Sequence, residues 1–225
     1  MRATAVIPVK RLGAAKQRLG DRLSEPERAG LAMASFADSL EAVCRCEALE
    51  RVIVVTGDAK AERHALWRAR RTDLPIEVVQ DPSDRGHNEA AAIGAERARS
   101  LGAEAIALLP GDCPLLDPGE LADAVEGLGP GSVLVVPDRH GTGTNALILS
   151  PPNAIGPSFG AGSCGRHLEL ARKHGMEGHR VELASLALDI DTPEDLEVIA
   201  AALAADPGRS PRTVEALRRM GVEAG

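Results

Sequence analysis

The sequence has 225 residues, of which 44% are hydrophobic and 26% charged, as in a folded chain long enough for a sizeable core. Aromatic residues make up only 1% and tyrosine is absent, which excludes the modules that stack nucleic-acid bases on aromatic side chains. The net charge of −7 disfavours general binding to nucleic acids or anionic membranes, so cations that serve an anionic substrate must be concentrated locally.

Short apolar runs alternate with helical patterns in the first half of the chain. This alternation predicts buried parallel strands joined by helical crossovers, that is, an α/β doubly wound sheet. In chain order, the predicted elements are strand Thr4–Val9, helix Glu25–Val43, strand Val52–Thr56, helix Ala59–Arg70, strand Ile76–Gln80, helix Asn88–Leu101 and strand Ala105–Leu109.

The spacing tightens after residue 110 and predicts a mixed sheet with an antiparallel element. The predicted elements are helix Pro118–Glu126 capped by Asp117, strands Val133–Pro137 and Ala146–Ser150, helix Ser163–Gly175, strand Leu186–Ile190 and helix Thr192–Ala204. We predict a single three-layer domain over residues 1–205 and a weakly helical tail over residues 206–225.

The cellular setting is predicted from what the chain lacks. Its longest apolar runs have the length of strands, so we expect no membrane-spanning segment, and the opening residues lack the pattern of a signal peptide. The four cysteines match neither a disulfide framework nor the paired spacing of zinc sites. We therefore expect reduced thiols in a cytoplasmic protein, and we interpret Cys113 as a packing residue.

Basic residues cluster after the first predicted strand. They are Lys10, Arg11, Lys16, Arg18 and Arg22, in a chain that is acidic overall. Several fixed cations on one loop favour a cradle for a polyphosphate, since phosphate oxygens need charge-assisted hydrogen bonds. The alternative is an ordinary solvated loop.

Aspartates follow two other predicted strands, at the sheet edge where open α/β sheets bind ligands. Asp112 comes directly after an apolar strand, and Asp189 and Asp191 lie two apart on an extended segment, so they share a face. Hard carboxylate oxygens of this kind suit Mg²⁺. Alternatively, Asp112 is a turn residue or a helix N-cap, and Asp191 or Thr192 caps the following helix. A helix cap accounts for one aspartate of the pair at most, and it leaves the other unexplained.

Two glycine patterns, Gly160–Gly165 and Gly141–Ala146, match the dinucleotide fingerprint but lack its strand–turn–helix context, which disfavours a nicotinamide site. The first can still present N–H groups to an anion at the start of a helix. The histidines lack metal-ligand spacing, and we interpret His167 and His174, seven residues apart, as a surface stripe of one helix.

Taken together, several motifs resemble known nucleotidyltransferases. The basic loop, Pro110–Leu116 (PGDCPLL) and Asp189–Leu196 (DIDTPEDL) resemble enzymes of the GT-A-like fold. Asp138–Leu147 (DRHGTGTNAL) and Ser158–His167 (SFGAGSCGRH) are similar to the CofC/FbiD guanylyltransferases of coenzyme F-420 biosynthesis. The resemblance spans about residues 3–200, and the last two motifs are the more specific ones.

The resemblance implies an enzyme that joins the GMP moiety of GTP to a small phosphorylated three-carbon acid and releases pyrophosphate. In the family that the chain resembles, bacterial members are mostly associated with phosphoenolpyruvate and archaeal members with 2-phospho-L-lactate. The alanine- and arginine-rich composition, typical of high-GC bacteria, therefore favours phosphoenolpyruvate, with 2-phospho-L-lactate next. The acceptor phosphate is already ionised, so the reaction needs alignment and charge neutralisation rather than a general base. The alternatives are a nucleotidyltransferase for a molybdenum cofactor or a sugar phosphate, and a nucleotide-binding module without turnover.

The resemblance also implies the roles of individual residues. Thr144, Gly160 and Ser163 would bind the phospho-acid, and Asp112 with Asp189 or Asp191 would hold Mg²⁺. The residues implied to bind GTP are Lys10, Lys16, Arg18 and Asn88, with Asp112 and Lys16 in the catalytic role. His87 stands where a leucine is common in the family.

Overall fold

The computed structural model describes residues 2–81 and 85–222. Its strands are β1 (Ala3–Val9), β2 (Leu49–Thr56), β3 (Ile76–Gln80), β4 (Ala105–Leu108), β5 (Ser132–Pro137), β6 (Thr144–Leu149) and β7 (Glu177–Arg180). Its helices are α1 (Glu25–Val43), α2 (Ala59–Ala69), α3 (His87–Ser100), α4 (Pro118–Glu126), α5 (Ser163–Lys173), α6 (Pro193–Ala205) and α7 (Pro211–Arg219). Within these two ranges no helix combines the length and the apolar character needed to cross a bilayer.

The strands form one sheet in the order β3-β2-β1-β4-β6-β5-β7. Strands β1 to β4 are parallel, β6 is antiparallel to both β4 and β5, and β7 is parallel to β5. The predicted doubly wound sheet with an antiparallel element is therefore confirmed. The carboxyl ends of β1 and β4, which precede the basic loop and Asp112, lie side by side at one edge.

Helices cover both faces of the sheet, which explains the uninterrupted apolar strands. On β1, Ala5 and Ile7 pack with α1, α2 and α4 in one core cluster, while Val6 packs with α3 and α5 in a second. A Cβ at Gly94 would lie 2.2 Å from Val6 Cγ1, so only glycine lets α3 pack this closely on β1. The three-layer arrangement follows from this packing.

The chain beyond residue 206 contains a packed helix, α7. Its N-terminal turn is attached to α1 through the buried carboxylate of Asp38, which accepts hydrogen bonds from Thr213 N (2.7 Å) and Thr213 Oγ1 (2.9 Å). Arg212 pairs with the same carboxylate at 3.1 Å. Val214 and Leu217 join a third apolar cluster with residues of α1 and α6.

The predicted strand Leu186–Ile190 is wrong, because this segment is an irregular loop. Leu186, Leu188 and Ile190 alternate as in a strand, but their burial reflects packing of the loop against the core clusters. The last strand of the chain is instead β7, which lies at the edge of the sheet next to β5 and whose four residues are all exposed. A strand without apolar residues gives no hydrophobic pattern to detect.

Candidate functional site

A cavity of about 660 Å³ opens at the carboxyl ends of β1 and β4. Ten residues were predicted for the site, and nine of them line this cavity, Ser163 being the exception. The nine are Lys10, Lys16, Arg18, Asn88, Asp112, Thr144, Gly160, Asp189 and Asp191. A second, mainly apolar cavity of about 410 Å³ lies between α6 and α7 and holds none of the ten.

Three carboxylates meet on one wall of the main cavity. Asp112 follows β4, and Asp189 and Asp191 lie on the loop before α6, yet one oxygen of each lies within 4.8 Å of the others. We call these three residues the acidic triad. Converging carboxylate oxygens are the ligands that hard divalent cations such as Mg²⁺ prefer, so the donor set fits such an ion.

The acidic triad is electrostatically strained. Burial, together with the negative charges of Asp112 and Asp191, raises the pKa of Asp189 to about 7. Burial and the charge of Asp112 also raise the pKa of Asp191. Like charges held in a partly desolvated site disfavour ionisation, and a bound cation would relieve this repulsion.

Replacing Asp189 by asparagine should stabilise the metal-free protein at neutral and alkaline pH. Because the pKa of Asp189 is higher in the fold than in the unfolded chain, its protonated form favours the fold below about pH 4, and this contribution is lost as pH rises through about 7. We expect Asp189→Asn to raise the melting temperature of the metal-free protein more at about pH 8 than at about pH 5.

The control is Asp123→Asn, which removes an exposed carboxylate on α4. Thermal unfolding at the two pH values, with and without Mg²⁺, gives the melting temperature of each variant. Asp189→Asn should also reduce the stabilisation that Mg²⁺ gives the wild-type protein. An equal rise in melting temperature at both pH values would show that charge repulsion at Asp189 is not the cause.

Lys16 connects the basic loop to the acidic triad. Its Nζ donates to Asp112 Oδ2 (2.9 Å) and to the carbonyl oxygen of Ile190 (2.6 Å), and its side chain is only 2% exposed. Within the described ranges Lys16 is the one non-glycine residue with a positive φ, at 56°. A strained backbone that places a buried cation against carboxylates is typical of a functional position.

The other basic residues separate into two groups. Lys10 and Arg18 line the main cavity beside Lys16. Arg11 and Arg22 are exposed and do not line it, and Arg22 forms an exposed ion pair with Glu197 at 3.4 Å. Three cations of the predicted cradle, Lys10, Lys16 and Arg18, therefore face the main cavity, whereas Arg22 lies at the surface beside α6.

Thr144 and His167 form a buried pair, of which Thr144 lines the main cavity. Thr144 begins β6, and its Oγ1 lies 3.0 Å from His167 Nδ1. The Nε2 of the same ring accepts a hydrogen bond from Ser158 N at 2.9 Å. The predicted surface stripe is wrong, because His167 is fully buried while His174 is exposed. Helical spacing identifies a shared face, but it cannot show that the loop before α5 covers only the first part of that face.

Asn88, at the start of α3, holds the loop before α5. Its Oδ1 accepts from Phe159 N at 2.6 Å, and its Nδ2 donates to the carbonyl oxygen of Phe159 at 3.2 Å. The Phe159 ring also packs edge-on against His87 and His167, with centroids 4.8 and 5.2 Å apart. Burial lowers the pKa of both histidines to about 4, so both rings are neutral at physiological pH.

Ser163 lies behind the cavity wall rather than on it. Its side chain is fully buried, and its Oγ has no hydrogen-bond partner among the described residues. The N–H groups of Ser163 and Cys164 donate to the carbonyls of Gly160 (3.0 Å) and Thr142 (3.1 Å). Gly160, with φ of 118°, lines the cavity itself and leaves open space where a side chain would stand.

Sequence reasoning missed several polar residues at this site, among them His167 and Asn145. Asn145 Nδ2 donates to the carbonyl of Leu186 at 2.9 Å and to Asp189 Oδ1 at 3.3 Å, so it fixes the loop that carries the acidic triad. Both residues belong to the two specific motifs of the sequence. The motifs were the available signal for these residues. They do not show that Asn145 contacts Leu186, 41 residues away, or that His167 contacts Thr144, 23 residues away.

Comparison with known proteins gives consistent matches. Residues 3–224 match a family model described as "Guanylyl transferase CofC like". A phosphoenolpyruvate guanylyltransferase from Conexibacter woesei is 40% identical, covering 95% of this chain and 94% of the relative. One from Sphaerobacter thermophilus is 37% identical, covering 89% and 93%. A solved nucleotidyl transferase from Methanothermobacter thermautotroptrophicus has a TM-score of 0.65 at 16% identity, covering 91% and 98%, which shows a shared fold.

Proposed function

The chain belongs to the family of CofC-like guanylyl transferases and is a nucleotidyltransferase, and we propose that it transfers GMP from GTP to phosphoenolpyruvate with release of pyrophosphate. The choice of acceptor rests on the relatives, since those from Conexibacter woesei and Sphaerobacter thermophilus are both named for phosphoenolpyruvate. 2-Phospho-L-lactate is the second candidate. The product would serve coenzyme F-420 biosynthesis.

One structural observation supports the proposal. A single cavity of about 660 Å³ brings a buried lysine and the acidic triad together with Thr144 and Gly160. Cations and carboxylates suit a nucleoside triphosphate with its metal, while the hydroxyl and the glycine loop suit a small anion. This combination supports the binding of two anionic substrates next to each other in one cavity.

The proposed reaction is a single displacement at phosphorus. A phosphate oxygen of phosphoenolpyruvate attacks the α-phosphorus of GTP and forms a new P–O bond. The bond from the α-phosphorus to the oxygen that bridges to the β-phosphorus breaks, and pyrophosphate leaves with the electron pair. The attacking oxygen is ionised at neutral pH, so the protein has to align the two substrates and neutralise their charge.

The residues divide into two sets in this proposal. Lys16, with Lys10 and Arg18, binds the phosphates of GTP and stabilises the departing pyrophosphate. Mg²⁺ held by the acidic triad would neutralise charge on the α-phosphate and on the leaving group. The hydroxyl of Thr144 and the backbone at Gly160 hold the phospho-acid. A guanine contact from Asn88 stays a prediction. Both polar atoms of its amide are bonded to Phe159, so the contact would need these bonds to be shared or exchanged.

Removing the hydroxyl of Thr144 should impair use of the acceptor selectively. We expect Thr144→Val to raise KM for phosphoenolpyruvate about tenfold or more, a loss of about 1.4 kcal/mol, with little change in KM for GTP. Thr142→Val, two residues earlier on the segment that leads into β6 and exposed, is the matched control. Equal losses for both substrates would indicate general destabilisation, and unchanged acceptor kinetics would remove Thr144 from the acceptor site.

Pyrophosphate release tests the proposed function as a whole. GTP and Mg²⁺ are incubated with the protein alone and with phosphoenolpyruvate, 2-phospho-L-lactate or 3-phosphoglycerate. We expect release to depend on the phospho-acid and to be fastest with phosphoenolpyruvate. GTP binding without release under any condition would favour a nucleotide-binding module. Release that requires a sugar phosphate instead would favour another class of nucleotidyltransferase.

A further inference from the structure

The buried contact between His167 and Thr144 has a defined direction. The backbone N–H of Ser158 can only donate, so the Nε2 atom that receives it at 2.9 Å carries no proton. A neutral imidazole then carries its proton on Nδ1, which lies 3.0 Å from Thr144 Oγ1. The ring therefore donates to the threonine oxygen, and the tautomer follows from the hydrogen-bond network.

The neutral state of the ring is consistent with its surroundings. His167 is fully buried on α5 and packed edge-on against Phe159, and the positive charge of Arg166 acts on it. An imidazolium would turn an N–H towards the N–H of Ser158 and would add positive charge beside a guanidinium. Both effects oppose protonation, in line with a pKa lowered to about 4.

The hydroxyl of Thr144 is oriented as a consequence. Once its oxygen accepts from Nδ1–H, its own hydrogen points away from the ring, and Thr144 lines the main cavity. Phosphate and carboxylate oxygens of an ionised acceptor can only accept, so a donor is the group they require. A chain of bonds that all run in one direction also strengthens each member.

We propose that His167 is a positioning residue that presents the hydroxyl of Thr144 to the acceptor as a hydrogen-bond donor, through a relay from Ser158 N–H to His167 to Thr144. The relay rests on the proposed function in taking Thr144 as part of the acceptor site. His167 itself lies behind Thr144 and does not line the cavity. The same relay ties the loop before α5 to the start of β6, so the two halves of the acceptor site are aligned together.

The tautomer can be measured without any substrate. Nitrogen-15 NMR of the full chain, labelled at histidine, distinguishes protonated from unprotonated ring nitrogens, and the spectrum of a His167 variant identifies the resonances. At about neutral pH we expect His167 to carry a proton on Nδ1 and none on Nε2. The exposed ring of His179 is the internal reference. A proton on Nε2, or on both nitrogens, would overturn the relay whichever acceptor the enzyme uses.

Kinetics then test whether the relay acts through Thr144. His167→Phe keeps an aromatic ring beside Phe159 but removes both hydrogen bonds, and we expect it to raise KM for phosphoenolpyruvate about tenfold with KM for GTP unchanged. His167→Asn, whose amide can still donate towards Thr144, should retain more of the acceptor affinity. His174→Phe, on the exposed end of the same helical face, is the matched control.

A double-mutant cycle separates a positioning role from a merely structural one. If His167 acts by orienting one hydroxyl, His167→Phe should add little to the loss already caused by Thr144→Val. Independent losses that multiply to about a hundredfold would overturn the relay. Absence of transfer to any phospho-acid would contradict the proposed function instead, while the NMR result would still decide the tautomer.

Discussion

Replacing Asp112 by asparagine should reduce the rate of guanylyl transfer at least about a hundredfold, a loss of about 2.7 kcal/mol of transition-state stabilisation. Asp112 is the member of the acidic triad that also contacts Lys16, at 2.9 Å. Asparagine keeps the shape but removes the charge that a divalent cation and the lysine both need. The loss should therefore appear mainly in kcat and should persist at saturating Mg²⁺.

The matched control for this variant is Asp123→Asn, which removes an exposed carboxylate from α4 outside the main cavity. Circular dichroism and thermal unfolding should show that Asp112→Asn still folds, because the side chain of Asp112 is 30% exposed and Lys16 keeps its bond to the carbonyl of Ile190. Near-normal turnover of Asp112→Asn at saturating Mg²⁺ would exclude Asp112 from the reaction.

Replacing Lys16 by methionine should have an effect of similar size, a loss of about a hundredfold or more in kcat/KM for GTP. The side chain is 2% exposed and its Nζ lies at the acidic triad, where the phosphates of GTP and their metal are proposed to meet. Methionine has a similar length, so the change removes a positive charge and its hydrogen bonds with little change in packing. Charge on the leaving pyrophosphate would then be less neutralised.

Lys60→Met, on the exposed surface of α2, is the control for the loss of one positive charge. Lys16→Arg extends the test, because a planar guanidinium does not reproduce the compact ammonium between Asp112 and the carbonyl of Ile190. We expect the arginine variant to remain impaired. Unchanged GTP kinetics in Lys16→Met would mean that the lysine has only a structural part in holding the loop.

The fold could be predicted from the sequence wherever apolar periodicity was strong. The bounds of α1, α4 and β3 agree with the predicted ones, and Asp117 caps α4 as expected. The prediction of strand Leu186–Ile190 was wrong because alternation of apolar residues indicates burial, and the apolar residues of a packed loop are buried as well.

The candidate site was predictable in its charges and less so in its hydrogen bonds. Clustered cations and aspartates at strand ends pointed to one edge of the sheet, and the structure brings Lys16, Asp112 and Asp189 together there. The positions of Asn145 and His167 depend on pairings between distant segments, which no local pattern specifies. Motif membership likewise did not show that Ser163 lies behind the cavity wall.

The central claim is that the GMP moiety of GTP is joined to a phosphorylated three-carbon acid in the main cavity. A mass-spectrometric acceptor screen tests this claim most directly. The protein is incubated with GTP, Mg²⁺ and one phospho-acid at a time, with CTP and ATP as alternative nucleotides and Asp112→Asn as the inactive control. We predict a product whose mass equals that of GTP plus phosphoenolpyruvate minus pyrophosphate, formed together with one pyrophosphate per transfer. Pyrophosphate formed with no phospho-acid adduct, or an adduct formed equally well from CTP or ATP, would contradict it.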